Sequence, residues 1–128
     1  MKSASDVLDR SLALAAVGGD TAFLAELAGI FEAACPTLLE RIQRALATGD
    51  LSATAIAARL LRVVAQNVSA RRVASAALEC ELLAQQRAVA EAQEAHRVLL
   101  QEVEKLKPLL DDLKSELACS EYRTVVLH

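Results

Sequence analysis

The chain has 128 residues, 54% of them hydrophobic and only 2% aromatic, with a net charge of −3 and a pI near 5.4. This length fits one domain with a real core, and a composition led by Ala, Leu and Val suits close-packed helices better than a sheet. The acidic balance provides no field to attract nucleic acid, and Arg59, Arg62, Arg71 and Arg72 read as a local cluster.

In chain order, Ser3 or Ser5 is placed to cap a first helix that stops at Gly18-Gly19. Asp6, Asp9 and Arg10 interrupt this segment where a secretory signal needs an unbroken apolar run. Asp20 caps a second helix whose apolar positions are Phe23, Leu27, Ile30, Phe31, Leu38, Ile42 and Leu46. Pro36 falls inside that pattern and predicts a kink or a tightened turn. No uninterrupted apolar run approaches the ~18 residues of a membrane span, so the expectation is a cytoplasmic protein with no membrane partner.

The segment "ATGDLS" marks the next turn, and a third helix follows from about Leu51 to Asn67. Its inward stripe reads Ala57, Leu61, Val64 and Val68, flanked by Ile56 and Leu60. Arg59, Arg62 and Gln66 share the opposite side, with Ala55 and Val63 one turn before and after Arg59. A valine beside two arginines on an outer face is a mixed patch of the kind partners use.

Ser69 is expected to cap a fourth helix carrying Val73, Ala76, Ala77, Cys80 and Leu83 inward. Glu79 and Glu81 are two apart and point to different sides, so they make no acid–base pair. A fifth helix starts near Ala88 and carries the most regular pattern in the chain. Ala92, His96, Leu99, Val103, Leu106, Leu110, Leu113 and Leu117 alternate steps of four and three, a seam that persists across Pro108. The expected fold class is therefore all-α: an up-and-down four-helix bundle over residues 1–118 with a short extra N-terminal helix, followed by a 119–128 tail that frays or docks.

Chemistry-bearing patterns are sparse. Cys35, Cys80 and Cys119 form no CxxC and no Cys/His ligand spacing, so they read as reduced thiols with no metal site. "AVGGDT" lacks the ending of a phosphate-binding loop. No cofactor is expected.

The run "GGDTAFLAELAGIFEAACPTLLERIQRALATGD" followed by "AARLLRVVAQNVSARRV" resembles the histidine-containing phosphotransfer (HPt) domain over about residues 10–85. That family's active helix reads roughly Ala-His-x-Leu-Lys-Gly-Ser, with a Gly-Ala after it. Ala58, Leu61 and Ala70 match this pattern, and Arg62 stands for the lysine. Arg59 occupies the phosphohistidine position, while Val63, Val64 and Ser69 replace glycine, serine and the later glycine. Arginine is always protonated and has no lone pair to accept a phosphoryl group.

The resemblance thus implies a non-catalytic pseudo-HPt protein of bacterial two-component phosphorelay signalling. It would bind a response-regulator receiver domain or a histidine kinase through Arg59, Arg62, Val63, Ala55 and Gln66 without relaying phosphate. Two alternatives stand beside it. One is a structural bundle that forms a homodimer through its final helix, motivated by Leu100 and Leu109. The other is an unconventional phosphotransferase using His96; terminal His128 has no supporting pattern.

Overall fold

The computed structural model describes residues 7–127, with side chains through residue 118. Among the described residues five helices are delimited: α1 (Arg10–Ala16), α2 (Thr21–Thr48), α3 (Leu51–Asn67), α4 (Arg71–Gln85) and α5 (Val89–Leu127). Among the described residues there is no strand. Contacts run α2 to α3, α3 to α4, α4 to α5 and back from α5 to α2, closing a four-helix ring, and α1 touches α2. Short connections between successive helices make this an up-and-down arrangement.

Aspartates start the first three helices by accepting backbone N–H groups that lack an intrahelical partner. Asp9 accepts from Leu12 N at 2.9 Å, Asp20 from Phe23 N at 3.0 Å and Asp50 from Ala53 N at 3.0 Å. The helix capped by Asp9 begins at Arg10, whereas Ser3 and Ser5 lie outside the described residues. Gly18 and Gly19 have φ of 64° and 80°, the left-handed turn that ends α1.

The α3–α4 turn departs from expectation. Ala70, with no side-chain cap bond, is the residue at the start of α4, so Ser69 is not a cap. Ser69 is instead buried with φ of 56°, and its carbonyl accepts from Asp9 N at 3.5 Å, joining the α1 entrance to this turn.

The α5 seam packs as its period implies. Ala92, Leu99, Val103, Leu106, Leu110, Leu113 and Leu117 are buried, and His96 is half-buried. Pro36 and Pro108 are both exposed, and α2 and α5 each continue through their proline. The backbone of α5 reaches Leu127, so the helix runs on through residues 119–127.

The phase of α2 differs from the sequence reading. Phe31, Leu38, Ile42 and Leu46 are buried, but Phe23 is 47% and Ile30 54% exposed. Leu24, Ala28 and Cys35 take the inward places. Thr21–Thr48 is also long and apolar enough to pass the length and composition test for crossing a membrane. Glu26 and Glu32 interrupt its apolar residues.

Candidate docking face

The inner side of α3 is built mainly from small residues, which lets it lie close to its neighbours. Thr54, Ala57, Ala58, Leu61 and Ala65 are buried, Val68 is buried just after the helix, and Val64 is half-buried. Ile56 and Leu60 do not flank this core: they are 61% and 45% exposed. With Val63, 43% exposed, they form an outward apolar stripe at spacings of four and three. Arg59 and Gln66 share that exposed side, while Ala55 and Arg62 sit half-buried toward α4.

The arginines converge on a group that the sequence pattern did not single out as functional. Arg59 Nε donates to Glu81 Oε2 at 2.8 Å, and Arg62 Nε donates to Glu81 Oε1 at 3.3 Å. Glu81 belongs to α4 and its side chain is only 5% exposed, against 24% for Arg62 and 58% for Arg59. Two positive groups on one carboxylate leave the cluster with one net positive charge. Arg59 meets Glu81 through Nε while its side chain stays 58% exposed, and a guanidinium's planar fork suits a carboxylate or phosphoryl oxygen. The signal available in sequence was the pair of arginines three apart, which require a counter-charge when one is half-buried. Glu79, two residues before Glu81, is exposed, so the two carboxylates do point apart.

A second buried carboxylate fastens α4 to α5. Glu102 Oε2 and Oε1 accept from Arg72 Nε at 2.8 Å and Nη2 at 2.9 Å, with Lys105 Nζ at 3.5 Å. The Arg72 hydrogen bonds hold the Glu102 carboxyl below the usual carboxylate range, against an opposing effect of burial.

His96 faces inward rather than toward a partner. Its Nε2 is buried without a hydrogen-bond partner, and burial lowers its pKa below 6.5, opposed by a backbone hydrogen bond with Leu39. Cys35 and Cys80 are free and buried, and burial raises both thiols to about 11. Such thiols are poor nucleophiles at neutral pH; Cys119 lies beyond the described side chains.

Between α2 and α5 lies a half-open groove of about 470 Å³ lined by Phe31, Cys35, Leu39, Leu100, Val103 and Leu110. Leu100 is 40% exposed at this groove, whereas Leu109 packs partly buried against the core. Among the described residues, no group of three or more His, Cys, Asp or Glu side chains is placed to hold a metal ion. No protein-family model, curated protein or solved structure matches this chain significantly.

Proposed function

We propose that this bundle is a pseudo-phosphotransfer module: it docks an acidic signalling partner on the outer face of α3 and does not accept a phosphoryl group there. The partner that best suits the surface is a response-regulator receiver domain, whose active site presents clustered carboxylates. The carrying observation is Arg59, held from below by buried Glu81 and bordered by exposed Ile56, Leu60 and Val63. An apolar stripe supplies contact area while an oriented guanidinium supplies charge-assisted recognition.

Two further features support the HPt likeness behind this reading. Ser69 stands where the resemblance puts glycine, and its φ of 56° is a conformation glycine takes without a steric penalty. The four-helix ring also leaves the outer side of α3 uncovered, as docking requires. A histidine kinase is the alternative partner within the same reading. The His96 phosphotransferase reading loses weight because Nε2 is enclosed and a phosphoryl donor needs in-line access to a ring nitrogen.

The test is binding to a panel of purified receiver domains, with phosphoryl transfer followed in the same samples. Expected is saturable binding to one or more receivers without label on the bundle, weakened at least about tenfold by Arg59→Ala. Binding unaffected by Arg59→Ala and Val63→Glu would remove α3 as the docking face. Label that is lost in His96→Ala would overturn the non-catalytic reading.

A further inference from the structure

A different face of the molecule carries an inference independent of the α3 site. On α2, Phe23, Glu26, Ile30, Ala33, Thr37 and Arg41 recur at steps of three and four, and all are exposed. This stripe is turned away from the core residues Leu24, Ala28, Phe31, Cys35 and Leu38. Of the five charges on α2, Glu32 pairs with Lys114 and Glu40 pairs with Arg44. Glu26 and Arg41 have no ion-pair partner among the described residues.

The stripe has a symmetric arrangement. Glu26 and Arg41 are equidistant from the point between Ala33 and Ala34, about 22 Å apart at ~1.5 Å per residue. Ile30 and Thr37 are equidistant from the same point. An antiparallel copy of α2 crossing there would place each Glu26 opposite the other copy's Arg41, each Ile30 opposite Thr37, and alanines at the twofold axis. Such self-complementarity is what an isologous contact requires. A parallel copy would instead align like charges.

Gly29 adds a separate observation. It lies one turn before Ala33, and a Cβ there would meet nothing within 4 Å inside the molecule. A mid-helix glycine lowers helix stability relative to alanine, and the packed interior does not require it. Small residues beside a crossing point allow two helices to approach at the short end of the ~8–10 Å interaxial range.

We propose that α2 is a self-association face on which a second copy of this chain docks antiparallel, centred at Ala33–Ala34, through reciprocal Glu26–Arg41 pairs. The face extends roughly 30 Å along a helix about 10–12 Å wide, an area well below the ~800 Å² per partner of a standard interface. The dimer is therefore weak and concentration-dependent.

Sedimentation equilibrium of the full chain, in a concentration series reaching several hundred micromolar, tests this directly. The weight-average mass should rise from one chain toward two. Glu26→Arg and Arg41→Glu should each weaken association at least about tenfold, because each places like charges at both ends of the contact. The double variant Glu26→Arg/Arg41→Glu should restore association to within about threefold of wild type, since the reversed pairs again match. Both residues are exposed and lack an ion pair among the described residues, so the variants keep the fold. A monomer at every concentration overturns the proposal. So does a dimer indifferent to the single reversals, or one that the double reversal fails to restore.

Discussion

Arg59 is tied through Nε to Glu81 Oε2 at 2.8 Å, so the charge on the outer face of α3 is anchored to a carboxylate buried on α4. The same carboxylate holds Arg62, whose side chain is less than half as exposed. The two arginines should therefore separate experimentally. Arg59→Ala should cost less than about 1 kcal/mol of stability, because the Arg59 end of the pair is largely in water and Arg62 remains on Glu81. Arg62→Ala should cost about 1–3 kcal/mol, as it strips the more buried hydrogen-bonded counter-charge from an enclosed carboxylate. Urea denaturation of both variants checks the order; a larger loss for Arg59→Ala would mean that Arg59, not Arg62, is the main partner of Glu81.

Acid should loosen the α4–α5 contact through Glu102. Its folded pKa is lowered below 4.5, mainly by hydrogen bonds from Arg72. The unfolded chain therefore takes up this proton first as pH falls. The contribution is complete above the unfolded value and is lost as pH drops through the lowered folded value. Glu102→Gln should be less stable than wild type at pH 7, with the gap closing as pH falls through the lowered folded value. Denaturation midpoints of both proteins across that range give the comparison.

His96 should act in a higher pH window. Its folded pKa lies below 6.5 because burial disfavours the imidazolium. Above about 6.5 both states are neutral; below it the unfolded chain binds a proton that the folded chain resists, so stability falls with pH. His96→Leu should flatten the slope between about pH 7 and 5.5, before the carboxylates titrate. An unchanged slope in this variant would place the titrating group elsewhere.

Gly29→Ala should stabilise the chain by about 0.5–1 kcal/mol, since the helix gains propensity and the unfolded chain loses freedom. The added methyl meets nothing within 4 Å. Thermal unfolding at low concentration, where any dimer is dissociated, is the appropriate readout. A destabilised variant would mean that the backbone at Gly29 is under a constraint that the static packing does not show.

Much of the architecture was legible from single residues. The aspartates at 20 and 50, the glycines at 18, 19 and 49, and the seven-residue repeat of α5 each act locally, through capping, left-handed backbone or one narrow apolar stripe. Those signals do not depend on what packs opposite. The outward placement of Arg59, Val63 and Gln66 was likewise readable from their spacing on α3.

The tertiary structure decided what local patterns left degenerate. On α2, apolar residues surround nearly the whole first half of the helix, so periodicity alone cannot choose between Phe23 and Leu24 or between Ile30 and Phe31. Contact with α3 and α5 makes that choice, burying Leu24 and Phe31 and leaving Phe23 and Ile30 outside. Ile56 and Leu60 were misread for the related reason that small alanines suffice where α3 lies close to its neighbours. Glu81 is the clearest case. Its spacing from Ala77 and Ala84 sets it on the buried side that Glu79 leaves, but only the packing of α4 against α3 brings two arginines to one carboxylate and withdraws that carboxylate from water.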